Sequence, residues 1–211
     1  MNRTKKMTTL AMLCAAAFIA VFFIRIPIMP AVPFLKYEPK DIMIVMGGFI
    51  YGPLAAFTVS AIVSLIEFIS ISETGVIGLV MNILSSCSFA CVAAGIYKVR
   101  HTLKGAICGL VCGVAAMCAV MLLWNYLITP LYMEISREAV SKMLLPAFLP
   151  FNLLKGVLNA ALTLLLYKPV VTALRKTGSI APAPESTGSL AGMLIGAVFL
   201  AVLVAALLFI L

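Results

Sequence analysis

The sequence is short of charged residues, and of acidic residues in particular. Charged residues make up 10% of the 211 positions and apolar residues 64%, whereas a soluble domain has roughly 25% charged residues. So few polar groups cannot cover a folded surface with side chains that water solvates well. The composition therefore excludes a soluble enzyme, a disordered chain and a coiled coil, and it indicates a protein embedded in a lipid bilayer.

The residues and motifs of common enzyme classes are also missing. With His101 as the single histidine, the six cysteines have little support as zinc ligands, so we interpret them as packing residues and predict no metal site. The chain contains no P-loop, H-E-x-x-H or G-x-S-x-G motif. We therefore predict no enzyme and no catalytic residue. An intramembrane enzyme that uses Asp41, Glu67 or Glu73 as an acid stays open as an alternative.

Long apolar runs are what the sequence has in abundance. A helix needs about 20 apolar residues to cross about 30 Å of hydrocarbon, and unbroken runs of this kind favour helices over a β-barrel. Seven runs qualify, at roughly 7–28, 42–58, 57–72, 77–97, 104–129, 147–172 and 189–211. The sequence Tyr51-Gly52-Pro53 predicts a tight hairpin between the second and third runs. Both of these crossings are then short, so they must tilt, bend or lie inside the bundle.

The chain divides into three parts. Residues 177–188 form a linker rich in Pro, Gly and Ser, and the last run contains no charge. We predict a six-helix membrane domain over 1–176, this linker, and one extra C-terminal transmembrane helix over 189–211. The fold class is therefore all-α, a polytopic membrane helix bundle.

The loops differ in charge from one side of the membrane to the other. With the N-terminus inside, the cytoplasmic loops hold cations and the outer loops mix cations with acids. This asymmetry predicts a multi-pass protein of the cell membrane with a cytoplasmic N-terminus. The net charge of +8 then reflects topology and contact with anionic lipid, and we expect no nucleic-acid partner.

The sixth apolar run carries a polar stripe. Asn152, Lys155, Asn159 and Thr163 are spaced so that all four lie on one face of a helix. A lysine in a membrane helix is costly unless it reaches the membrane surface, pairs with an acid or faces a wet cavity. The two amides on the same face favour a polar cavity open to the outside, although snorkelling of the lysine to the surface stays open.

Other runs offer partners for this stripe. Asn125 lies near the outer end of the fifth run, and Asp41, Val45 and Gly48 share one face of the second. An acid followed by a glycine on that face would let a flat ligand approach the backbone. Together these residues predict an outward-facing pocket.

Four stretches of the sequence resemble a known family. They read FLKYEPKDIMIVMGGFIYGPLAAF, ETGVIGLVMNILSS, NYLITPLY and LPFNLLKG. They are similar to the substrate-binding S component of energy-coupling factor (ECF) vitamin transporters, most closely its riboflavin-specific branch, over about residues 7–176. The resemblance implies a six-helix core, with riboflavin held as the transported ligand near the outer surface. It also implies partners, namely a transmembrane scaffold subunit and two ATPase subunits that supply the energy for uptake.

The resemblance also implies roles for individual residues. The family's motifs match ligand-binding positions at Asp41, Val45, Gly48, Asn125, Asn152 and Lys155. An AxxxA motif on the first helix, which contacts the scaffold subunit in the family, matches Ala11 and Ala15. Lys40 stands where the family usually has serine, so an S component for a different vitamin stays open. So does a membrane enzyme or structural subunit without a soluble vitamin ligand.

Overall fold

The computed structural model describes residues 3–29 and 32–176, and nearly all of them are helical. The elements are α1 (Arg3–Phe23), β1 (Ile26–Pro27), β2 (Lys36–Tyr37), α2 (Lys40–Tyr51), α3 (Pro53–Ser70), α4 (Gly75–Val99), α5 (Leu103–Met133), α6 (Arg137–Met143) and α7 (Leu149–Lys176). A π-helical segment, Leu144–Phe148, makes α6 and α7 one continuous helix. The predicted all-α membrane bundle is confirmed. The predicted linker 177–188 and the extra helix 189–211 lie outside the described residues.

The bundle is built to sit in lipid. Within the described residues, five helical stretches are long and apolar enough to cross a membrane: α1, α3, α4, α5 and the stretch Arg137–Leu174. Large apolar side chains such as Leu54 and Ile69 are about four-fifths exposed on the outside of the bundle. An apolar outer surface of this kind is stable in hydrocarbon and unstable in water.

The turn between α2 and α3 follows the predicted hairpin. Gly52 has a positive φ of 93°, which glycine adopts without strain, and its N–H donates to Gly48 O at 2.7 Å. Pro53 is the first residue of α3, where its missing N–H costs nothing. The predicted extent of the second run, 42–58, is wrong at its end, because α2 stops at Tyr51 and residues from Pro53 onward belong to α3.

Helix α2 lies inside the bundle, as expected of a short crossing. Its 12 residues span about 18 Å, much less than the hydrocarbon core of about 30 Å. Nine of the 12 are buried, including the charged Lys40 and Asp41 at its first turn. The helix therefore begins below the surface of the bundle, and the preceding loop must enter the bundle to reach it.

One end of the bundle is formed by loops. These loops, which we call the loop end, are the first loop, described over residues 24–29 and 32–39, and the loops 71–74 and 134–136. The first of them contains the short antiparallel pair of β1 and β2, with Ile26 opposite Tyr37. Arg25 Nη1 donates to Ile71 O at 3.0 Å, which ties the first loop to the second. The first loop also packs Val32 into a cluster with the continuous α6–α7 helix, so it covers this end of the bundle.

The opposite end, which we call the N-terminal end, holds the start of α1 and the turn after α2. Lys6 Nζ lies 5.6 Å from the centre of the Tyr51 ring at this end. All the carboxylates of the described residues lie in the half of the bundle nearer the loop end, as their positions along the helices and loops show: Glu38, Asp41, Glu67, Glu73, Glu134 and Glu138. The charged side chains described at the N-terminal end are therefore all cationic. This is the charge asymmetry that the sequence predicted between the two sides.

Helices α4 and α5 pack unusually closely because α5 carries glycines at the contact. A Cβ added to Gly109 would lie 2.7 Å from Ala93 O, and one added to Gly113 would lie 2.6 Å from Phe89 O. Membrane helices gain little from the hydrophobic effect, so close backbone approach at small residues is a main source of their stability.

This packing predicts opposite effects of the same substitution at two glycines. Gly109→Ala should lower the free energy of unfolding by about 1–3 kcal/mol, because the new methyl group overlaps the backbone of α4. Gly95→Ala is the matched control, since a Cβ there meets nothing within 4 Å and alanine is the better helix former. Thermal unfolding in detergent measures both. Equal midpoints for the two variants would contradict the packing role of Gly109.

Candidate ligand-binding site

A ladder of buried charges connects the first loop to the helices beneath it. Glu38 accepts a hydrogen bond from Arg25 Nε at 3.1 Å and pairs with Lys40 Nζ at 2.9 Å. Lys40 Nζ also lies 2.6 Å from Glu67 Oε2, which in turn accepts from Asn82 Nδ2 at 3.0 Å. The Lys40 side chain is completely buried. The loop is thus joined to α3 and α4 by charges of alternating sign.

Two residues of the first loop, Glu38 and Tyr37, hold defined protonation states. Burial alone would raise the pKa of Glu38, but neighbouring cations, with Lys40 foremost, lower it to about 2. Burial, reinforced by the negative charge of Asp41, raises the pKa of Tyr37 well above its usual value. At neutral pH, Glu38 is therefore an ionised acceptor and Tyr37 a neutral hydrogen-bond donor.

A second network lies around Asp41. Its carboxylate accepts from Ser86 Oγ at 2.5 Å and from Asn159 Nδ2 at 3.1 Å, and Lys155 Nζ is 3.8 Å away. Tyr37 of the loop donates to Asn159 Oδ1 at 3.1 Å. Residues of α2, α4 and α7 therefore meet at one buried carboxylate, and Tyr37 connects the loop to it through Asn159.

The polar stripe of α7 faces into the bundle. Asn152, Lys155, Asn159 and Thr163 are all buried, with Lys155 5% exposed. Because Lys155 lies close to Asp41 and is shielded from the surface, the structure does not support the snorkelling alternative. The stripe is the inner surface that the sequence predicted.

A cavity opens between this stripe and the first loop. Its lining residues are Arg25, Phe34, Leu35, Lys36, Glu38, Glu73, Thr74, Met81, Asn82, Ser85, Met121, Phe151, Asn152 and Lys155. The space between these side chains is about 560 Å³ when its open mouth is included. The cavity combines apolar walls with a few polar groups, as small-molecule sites do.

A smaller, more apolar cavity adjoins the first, and its space is about 310 Å³ when its open mouth is included. It is lined by Phe34, Thr74, Ile77, Gly78, Met81, Trp124, Asn125, Ile128, Thr129 and Tyr132. Phe34, Thr74 and Met81 line both cavities. These three side chains therefore form the wall that the two cavities share.

The structure brings four of the six predicted ligand-binding residues to this region. Asn152 and Lys155 line the first cavity and Asn125 lines the second, while Asp41 stands behind Lys155. The amide of Asn125 is engaged within α5, where Nδ2 donates to Met121 O and Oδ1 accepts from Thr129 Oγ1.

The other two predicted residues, Val45 and Gly48, lie deeper in α2 and line neither cavity. Val45 is fully buried in the hydrophobic core. A Cβ added to Gly48 would lie 2.8 Å from Ala94 Cβ and 3.0 Å from Ala56 Cβ. In this structure the glycine lets α2 approach α3 and α4, and it does not lie against the space open to a ligand.

Sequence reasoning missed several charged and polar residues of the site, namely Arg25, Tyr37, Glu38 and Lys40. One signal was available: Glu67 lies within an apolar helix, and a buried acid needs a cation nearby. Lys40, next to Asp41 at the start of an apolar run, was one candidate for that cation and Lys155 was another, so the signal did not decide between them.

The two alanines predicted to contact a partner lie on the outside of the bundle. Ala11 and Ala15 are exposed on one face of α1, whereas Leu13, Cys14 and Ala17 on the other face are buried. The exposed face has room for another helix to approach closely.

A polytopic bundle with an inserted loop over a small polar cavity is the architecture of a membrane-embedded substrate-binding component. The chain belongs to the family of ECF transporter substrate-specific components, whose model matches residues 5–167. Proteins of this family bind a transported substrate and are not enzymes. The family and the apolar helices together show that the chain is a multi-pass membrane protein.

Individual relatives agree with this assignment. The riboflavin transporter FmnP of Bacillus subtilis (strain 168) is 32% identical over 165 residues, which cover 74% of this chain and 86% of the relative. The riboflavin transporter RibU of Staphylococcus aureus (strain TCH60) is 29% identical over 182 residues, covering 83% and 95%. A solved structure of the S component of a bacterial ECF transporter matches with a TM-score of 0.70 and 30% identity, covering 82% of this chain and 99% of that one.

Proposed function

We propose that the chain is the riboflavin-binding S component of an ECF transporter and mediates uptake of this vitamin. The observation that carries the proposal is the cavity in which Asn152 and Lys155 converge beneath the first loop. The names of the curated relatives support the choice of riboflavin.

The chemistry of the cavity suits an isoalloxazine ring. Asn152 Nδ2 donates to Phe148 O at 2.8 Å, which leaves its Oδ1 to accept from an N–H on the pyrimidine edge of the ring. Lys155 would donate to a neighbouring ring carbonyl. The aromatic and thioether walls contributed by Phe34, Met81 and their neighbours would bury the faces of the ring. In this arrangement the ring occupies the first cavity and extends past Phe34 into the second, toward Asn125.

Uptake needs partners and a source of energy, because the chain has no nucleotide-hydrolysing motif. The loop end faces the outside and the cationic N-terminal end faces the cytoplasm of the cell, in agreement with the positive-inside rule. The partners are a transmembrane scaffold subunit, which docks on α1 at Ala11 and Ala15, and two ATPase subunits. Riboflavin is the transported ligand, and no cofactor takes part.

The docking proposal predicts a loss of assembly. Ala11→Leu combined with Ala15→Leu should abolish copurification with the coexpressed scaffold subunit, because the larger side chains prevent close helix approach. Ala115→Leu with Ala119→Leu is the matched control, since these alanines have the same spacing and are exposed on α5. Retained assembly of the α1 variant, or equal loss in both variants, would contradict docking at this face.

The riboflavin assignment is tested by the colour of the protein. Chain purified in mild detergent from cells grown with riboflavin should show flavin absorption bands near one flavin per protein. Protein freed of flavin should quench the fluorescence of added riboflavin in a saturable way. A colourless protein that leaves riboflavin fluorescence unchanged would refute riboflavin as the ligand, and a screen of other vitamins would follow.

A further inference from the structure

The first cavity is surrounded by balanced charges. The cations that line it are Arg25, Lys36 and Lys155, and the carboxylates are Glu38 and Glu73. Asp41 supplies the third negative charge, since its Oδ2 lies 3.8 Å from Lys155 Nζ. The buried Lys40–Glu67 pair behind the wall adds one charge of each sign. Among the described residues, the site therefore has no net charge to offer an ionic ligand.

Glu73 supplies the negative charge at the mouth of the cavity, next to the cations Lys36 and Arg25. Its side chain is 63% exposed, compared with 7% for Lys155 at the inner end. Lys36 Nζ lies 2.6 Å and 2.7 Å from the two Glu73 oxygens, and Arg25 Nη1 lies 3.8 Å from one of them. Glu73 is thus hydrogen-bonded to Lys36 and lies near Arg25, whose own short contact is with Glu38 at 3.1 Å.

We propose that Glu73 makes the site select a neutral flavin over a phosphorylated one, by neutralising the mouth cations that would otherwise bind a phosphate. The inference rests on the proposed function. The apolar walls suit the ring, so the polar ribityl chain points to the charged mouth, and a 5′-phosphate would lie there. Such a phosphate carries about −1.5 to −2 charges at pH 7 and would have to displace Glu73 from Lys36 and Arg25.

The proposal is tested by the ratio of two affinities. Dissociation constants for riboflavin and for riboflavin 5′-phosphate are measured by fluorescence quenching on the full chain in detergent. Unmodified protein should bind riboflavin more tightly. Glu73→Gln, which keeps the shape and hydrogen-bonding oxygen but removes the charge, should move the ratio about threefold to tenfold toward the phosphorylated flavin, as expected for one partly exposed charge.

A matched control separates this effect from a general change in surface charge. Glu138 is also an exposed glutamate paired with a lysine, Lys142 at 3.0 Å, at the same end of the bundle. It lies outside both cavities, so Glu138→Gln should leave the ratio unchanged.

The outcomes decide between this inference and the function on which it rests. Equal affinity of the unmodified protein for the two flavins would overturn the proposal, and so would a ratio that Glu73→Gln leaves unchanged. An unmodified protein that binds neither flavin would refute the proposed function itself. A shift in the ratio that occurs in Glu73→Gln and not in Glu138→Gln supports the proposal, and an equal shift in both variants overturns it.

Discussion

Replacing Lys155 by methionine should weaken riboflavin binding by about 1–3 kcal/mol, or roughly five- to 150-fold in the dissociation constant. The ligand carbonyl would lose its donor in a buried site, and Asp41 would lose the cation 3.8 Å from its Oδ2. Asn152→Ala should have an effect of similar size, because the pyrimidine edge would lose its partner. Titration of flavin-free protein by fluorescence quenching gives both constants.

Two controls distinguish the loss of a ligand contact from a loss of folding. Lys142→Met is the matched control, because Lys142 is at the same end of the bundle but its side chain is 75% exposed. The thermal midpoint of each variant without flavin reports on the fold alone. Unchanged affinity in both Lys155→Met and Asn152→Ala would refute the assignment of the α7 stripe to the ligand.

Replacing Lys40 by methionine should destabilise the protein by about 3–5 kcal/mol, the cost of leaving buried charges without a partner. Methionine fills a similar volume, so the loss comes from Glu38 and Glu67, whose oxygens lie 2.9 Å and 2.6 Å from Lys40 Nζ. Thermal or denaturant unfolding in detergent without flavin measures the effect.

A second substitution tests the cause. In the double variant Lys40→Met with Glu67→Gln, one of the two stranded charges is removed and Glu38 keeps Arg25 at 3.1 Å. The double variant should therefore be more stable than Lys40→Met alone, which is the coupling that a double-mutant cycle detects. A Lys40→Met variant no less stable than Lys142→Met would contradict the buried ladder.

The helical frame of this protein could be read from its sequence because lipid imposes simple rules. Apolar runs of sufficient length favour helices over a β-barrel, and the sequence Tyr51-Gly52-Pro53 predicted the turn between the second and third runs. Helical spacing placed Asn152 and Lys155 on one face, and the amides on that face favoured an inward orientation over snorkelling. These features depend on residues near one another in the chain.

The parts that could not be read depend on contacts between distant residues. Lys40 looked like a loop cation, and nothing near it in sequence shows that Glu67, 27 positions away, is its partner. The same holds for Tyr37 and Asn159, which are 122 positions apart. Gly48 has the spacing of a ligand-facing glycine, but its neighbours Ala56 and Ala94 are known only once three helices are in place.

The close fit of Gly48 has a mechanical consequence for the site. A Cβ added at Gly48 would lie within 3.0 Å of side chains on α3 and α4, so only glycine lets α2 pack this closely against both helices, and a displacement of α2 would have to move its neighbours as well. We expect α2, α3 and α4 to behave as one rigid unit on this side of the site. We therefore expect adjustment to an incoming ligand to come from the opposite wall, where the first loop packs against Phe148 and Phe151, and not from these three helices.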